Sequence, residues 1–126
     1  FSFNFFDKED ETLRNACIEV TSAYDSDICN LGSINMGRVD DIREMAEVVE
    51  LETKFLICGT LKAKLPYDKV ELTHAKNRRL GLGLTGMQEW LIQRGEQYEG
   101  TTELRNWLSV YKGVSNKISK ATADRL

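Results

Sequence analysis

The chain has 126 residues, 41% of them hydrophobic and 29% charged, with nine glycines and one proline, which suits one small globular domain and excludes a disordered segment. A net charge of −3 gives no basic excess to attract nucleic acid or an anionic membrane, and no apolar run approaches the roughly 18 residues that a membrane span needs. Residues 1–10 are aromatic and then acidic, without the basic flank and cleavage site of a signal peptide, so we expect a cytoplasmic protein that binds neither membrane nor nucleic acid.

In chain order, residues 1–6 are aromatic with partial alternation, residues 16–21 mix β-branched with polar side chains, and residues 28–36 read ICNLGSINM; short strands and loops are expected throughout. At Asp40 or Asp41 the pattern turns helical. Either aspartate suits an N-cap, and Ile42, Met45, Val49, Phe55 and Leu56 fall roughly on one side of a helix near 40–60. Lys64-Leu65-Pro66 ends it, because proline lacks a backbone N–H and disfavours the α region in the residue before it. A short helix over 68–77 follows. The run RRLGLGLTGMQEWLIQRG reads as strand, turn and a helix near 86–95 stopped by Gly95. Thr101 or Thr102 then caps a helix near 102–124, whose Leu104, Trp107, Leu108, Tyr111, Val114 and Ile118 form an apolar stripe. Strands followed by helices in this order indicate an α/β fold.

Cys17, Cys29 and Cys58, with the single His74, lack the paired spacing of a zinc site, so no metal centre is expected. An odd count in a short chain also argues against a secreted disulfide scaffold. Asn15, Cys17 and Glu19 occupy alternate positions; in an extended segment an amide, a thiol and a carboxylate would point to one face. Cys29, twelve residues after Cys17, would reach the same place from a neighbouring strand or loop. The plainer alternative is that both cysteines are buried core thiols, with Asn15 a turn amide and Glu19 a solvated acid.

The pieces FSFN, RNACIEVTS, SDICNLGSINMGR, KFLICGTL and NRRLGLGLTGMQEWLIQRG cover most of residues 1–95 and together resemble the catalytic subunit of ribonucleotide reductases. The resemblance implies a partial catalytic domain over 1–126, part of a ten-stranded α/β barrel cut at both ends, with its finger loop near residues 12–20. It implies that Cys17 becomes a thiyl radical that takes the 3′ hydrogen of the substrate ribose. Glu19 would take the 3′-OH proton as general base, Asn15 would hydrogen-bond the ribose hydroxyls, and Cys29 would be one of two thiols that reduce the ribose and end as a disulfide. The radical must originate in a cofactor. The wording of DSDICNLGSIN and RRLGLGLTGMQEWL resembles the adenosylcobalamin-dependent (class II) enzymes more than class I large subunits, which draw on a separate metal-bearing subunit. The cobalamin site itself is expected in other parts of the subunit.

The resemblance further implies a ribonucleoside di- or triphosphate substrate, thioredoxin or glutaredoxin as reductant, and a homodimer. The second reducing thiol and the phosphate-binding turn are expected outside residues 1–126, so the segment alone should not turn over. A class I large subunit, or a non-catalytic binding domain on the same scaffold, are the other readings. The GxGxxG at Gly81–Gly86 is read as close strand-to-helix packing, since a dinucleotide site needs a second strand where a helix follows. Cys58 is expected in the core, His74 at the surface, and Lys76, Arg78 and Arg79 at a solvated helix end.

Overall fold

The structure, a computed structural model, describes residues 13–17 and 20–125. The strand expected at 1–6 lies outside the described residues, as does Glu19. The chain divides into two compact units, one of residues up to Cys29 with Ala63–Arg79, the other of Asn30–Lys62 with Leu80–Leu126.

In the first unit, β1 (Leu13–Arg14) pairs antiparallel with β2 (Thr21–Ser22), Leu13 opposite Ser22 and Arg14 opposite Thr21. The helix α2 (Asp68–Asn77) has the bounds read from Pro66 and the polar run after it. Its C-cap, Arg78, is left-handed at φ 44 and ψ 46, and Arg78 N–H donates to His74 O at 2.7 Å. The interior is polar: Ser22, Thr73 and His74 are all buried. His74 was expected at the surface; α2 instead turns it inward beside Thr73.

The second unit is built on β3 (Cys29–Asn35), α1 (Ile42–Lys62), β4 (Arg79–Thr85), α3 (Met87–Gln93) and α4 (Thr102–Ala123). Strands β3 and β4 are hydrogen-bonded neighbours. Gly32 lies against Gly83, Thr85 Oγ1 donates to Ile34 O, and Asn35 reaches Gly86, so the two strands ascend together, as parallel strands joined through a helix do. Asp41 caps α1, its Oδ1 accepting from Arg43 N–H at 2.7 Å and Glu44 N–H at 2.9 Å. Thr101 caps α4 through Leu104 N–H at 3.2 Å. Each cap satisfies a donor that the helix leaves open.

The core of this unit gathers Ile34, Met36, Met45, Val49, Trp90, Leu91, Leu104 and Trp107. Trp90 and Trp107 meet edge to face at 5.1 Å, a geometry that sets the positive ring edge on the negative face. Arg94 covers them, its guanidinium 4.0 Å from the Trp90 centroid and 5.0 Å from that of Trp107, while its Nε donates to Glu103 at 2.9 Å. Such stacking on a half-screened cation stabilises by about 1 kcal/mol. Three expectations fail on α1. Ile42 is 38% exposed, Phe55 is 69% exposed and Cys58 is exposed, because the buried stripe is Met45, Val49, Thr53, Leu56, Ile57 and Thr60. Thr53 enters it at no hydrogen-bonding cost, since its hydroxyl donates to Val49 O at 2.7 Å.

The expected α/β content is present. Among the described residues no barrel closes; two separate two-stranded sheets stand where part of a ten-stranded barrel was expected.

Candidate active site

Asn15 closes the β1–β2 hairpin. Its backbone N–H reaches Val20 O at 3.4 Å and its side-chain Oδ1 accepts from Val20 N–H at 3.2 Å. Ala16 and Cys17 therefore form a turn, with Cys17 exposed beyond the last strand pair. Over the described residues 15–17 this corrects the extended reading: once Asn15 spends its carbonyl on the far side of the hairpin, the two-residue alternation no longer governs Cys17. Over residues 13–17, the finger loop expected at 12–20 is strand β1 followed by a turn.

Cys29 opens β3 and is half-buried. Cys17 and Cys29 lie in the same compact unit, and neither is in a disulfide. Asn15 also lines a cleft of about 340 Å³ with Arg14, Val20, Ser22, Tyr24 and Asp27. Cys17 and Cys29 are not among its lining residues.

The electrostatic centre of this unit is Asp27, which the sequence reading passed over. Its side chain is only 4% exposed, and one oxygen, Oδ2, accepts from Ser22 Oγ, Asn77 Nδ2 and Arg79 Nε, each at 2.7 Å. Burial pushes the carboxyl's pKa up, but the hydrogen bonds from Ser22, Arg79 and Asn77 and the charge of Arg79 outweigh it, so the pKa sits below its ordinary value. Asp27 is therefore ionised at neutral pH. The other oxygen, Oδ1, is buried with no hydrogen-bond partner among the described residues. On the same loop, Asp25 pairs with Lys69 of α2 at 2.8 Å, and Lys76 of α2 meets Tyr24 both at the hydroxyl and over the ring, 4.4 Å from its centroid. Lys76 and Arg79, expected at a solvated helix end, hold this loop instead.

The GxGxxG segment does structural work. Its last glycine, Gly86, adopts φ 68, and a side chain there would collide with Asn35 Oδ1. That oxygen accepts from Gly37 N–H at 3.0 Å and caps the 3-10 turn Met36–Arg38. Among the described residues no group of three or more His, Cys, Asp or Glu side chains converges to hold a metal. The cleft lies at the low end of the roughly 300–1,000 Å³ usual for drug-sized ligands, too small to enclose a corrinoid.

Residues 4–111 match the family described as "Ribonucleotide reductase, barrel domain". Similar curated proteins include the ribonucleoside-diphosphate reductase subunit alpha of Synechocystis sp., 27% identical over 94 residues, which are 71% of this chain and 12% of that protein. The subunit alpha of Treponema pallidum is 29% identical over 93 residues, 72% of this chain and 11% of that protein. A third, the vitamin B12-dependent ribonucleoside-diphosphate reductase of Thermoplasma acidophilum, is 30% identical over 105 residues, 76% of this chain and 14% of that protein. No solved structure matches the chain. The chain thus spans between a tenth and a seventh of the length of these relatives. With 108 consecutive positions, 4 to 111, inside one family description, the chain belongs to the ribonucleotide reductase barrel-domain family.

Proposed function

We propose that this chain is the part of a ribonucleotide reductase catalytic subunit that carries the radical cysteine, Cys17, and one reducing thiol, Cys29. The observation that supports it most is the hairpin: within the family match, the thiol of Cys17 is carried on a turn closed by the Asn15 side chain, and Cys29, not in a disulfide, lies in the same unit.

In the proposed reaction a Cys17 thiyl takes a hydrogen atom from C3′ of the ribose, forming S–H as C3′–H breaks. Glu19, which lies outside the described residues, accepts the 3′-OH proton, and the 2′-OH leaves as water on a proton from the reducing pair, Cys29 and a second thiol elsewhere in the subunit. That pair also gives a hydrogen atom to C2′ and one electron to the C3′ carbonyl and ends as a disulfide; Glu19 returns its proton to O3′, and Cys17 returns the hydrogen to C3′. A base works only within hydrogen-bond reach, and the amide of Asn15 fixes the hydroxyl geometry. Adenosylcobalamin would supply the initial radical from other parts of the subunit. The class II reading is favoured by the motif wording and by the relative whose name carries vitamin B12. Substrate, thioredoxin or glutaredoxin as reductant, a homodimer and a cytoplasmic location belong to the same reading.

The test is reduction of ribonucleoside di- and triphosphates by the full-length protein with adenosylcobalamin and no second subunit. Activity is expected, and Cys17→Ala is expected to abolish it. Activity only with a metal-bearing partner would reverse the class, and a fully active Cys17→Ala would refute the role of Cys17.

A further inference from the structure

The loop between β2 and β3 is held at its base by one carboxylate. Asp27 Oδ2 gathers three donors from three places: Ser22 at the end of β2, Asn77 at the end of α2, and Arg79 at the start of β4. Ser22 is itself used twice, its Oγ also accepting from Tyr24 N–H at 3.0 Å. Arg79 is delivered by strain, since Arg78 stands left-handed at φ 44. A non-glycine residue holds that conformation only where its surroundings over-determine it. Two weaker ties, Asp25 to Lys69 and Tyr24 to Lys76, fasten the loop's tip to α2. Cys29 follows Asp27 by two residues, at most about 7 Å of extended chain. Any release of Asp27 is passed to the thiol with little slack between them.

We infer that Asp27 is a positioning residue for the Cys29 thiol, its buried carboxylate fixing the start of β3 so that the sulfur is presented in one place. The inference rests on the reading of Cys29 as a reducing thiol. Three charge-assisted bonds on one oxygen are far more than a surface loop needs, and they converge two residues from the thiol. The unused Oδ1 indicates what a substitution can keep. An asparagine oxygen placed at Oδ2 still receives all three donors, and its amide nitrogen takes the position that accepts nothing.

The test is timed alkylation of the full-length protein by iodoacetamide, read by mass spectrometry at Cys17, Cys29 and Cys58 separately. In Asp27→Ala, labelling of Cys29 should rise by about tenfold, the local opening expected when charge-assisted hydrogen bonds are lost. Cys17 and Cys58, already exposed, should keep their rates. Asp27→Asn should restore Cys29 to near the original rate, and Asn77→Ala, which leaves two donors, should fall between. An unchanged Cys29 rate in Asp27→Ala, an equal rise at all three cysteines, or an Asp27→Asn no better than the alanine variant would overturn the inference. Labelling reads the anchor whether or not nucleotide is reduced. An active Cys29→Ser with an intact anchor would sink the proposed role of Cys29 and leave the anchor standing.

Discussion

Gly86 and Gly95 share a backbone conformation, φ 68 in each, but not their surroundings. A Cβ at Gly95 meets nothing within 4 Å, whereas at Gly86 it runs into Asn35 Oδ1. Gly95→Ala should therefore cost only the left-handed penalty of about 1–2 kcal/mol. Gly86→Ala should cost the same and also displace Asn35 from Gly37 N–H, the loss of an N-cap worth about 1 kcal/mol more. Because about 1.4 kcal/mol is a factor of ten, amide exchange in the core strands and helices of this unit should accelerate roughly 5- to 30-fold in Gly95→Ala and about fivefold more in Gly86→Ala. Hydrogen exchange of the full-length protein, followed on peptides covering 30–38 and 86–95, measures both. Equal acceleration in the two variants would refute the collision, and no acceleration in Gly95→Ala would refute the backbone penalty.

Acid should loosen the first unit. The folded-state pKa of Asp27 is depressed below its ordinary value of 3.8, so its contribution is whole above that value and is lost as pH falls through the depressed one. Cys29 labelled with an acid-tolerant thiol reagent should become more accessible only below about pH 4, and an onset near neutrality would contradict the ion pair. Thr101→Ala removes the cap on Leu104 N–H and should destabilise the start of α4 by about 1 kcal/mol, read as faster exchange confined to its first turn. Unaltered exchange there would mean that the cap contributes nothing.

Most of the helices were legible because their ends carry local chemistry. Asp41, Pro66 and Thr101 set boundaries through hydrogen bonds or their absence within four residues, and α1, α2 and α4 begin where those residues indicate. The faces were less legible. Phe55 and Cys58 point outward because Thr53 and Thr60 hold the buried stripe; Thr53 donates its hydroxyl to Val49 O and Thr60 accepts from Asn30, so neither is buried unpaired. His74 was misplaced because composition alone does not show which face of a polar helix turns inward.

At the candidate site, the thiols and Asn15 stood out by type. That Cys17 sits on a turn depended on Asn15 bonding Val20 across the hairpin, a choice that residue spacing does not encode. Asp27 was invisible for a deeper reason, since two of its three donors come from about fifty residues along the chain. A lone aspartate beside a strand reads as solvated until those partners are in place.

The parallel pairing of β3 with β4 bears on how the chain is made. Ile34 and Thr85, which meet in that ladder, are 51 residues apart. At a synthesis rate of about 5–20 residues per second, β3 emerges from the ribosome roughly 3–10 s before its partner. Helix α1, whose backbone hydrogen bonds are local, can form in about a microsecond, so for nearly all of that interval the nascent chain is a helix beside an unmatched strand. Gly32 and the polar Asn30, Ser33 and Asn35 within β3 make that waiting edge a poor template for another chain, because glycine and asparagine are weak strand formers. Gly32, which leaves room for Glu52 and Leu56 of α1, thus also guards the strand while it waits.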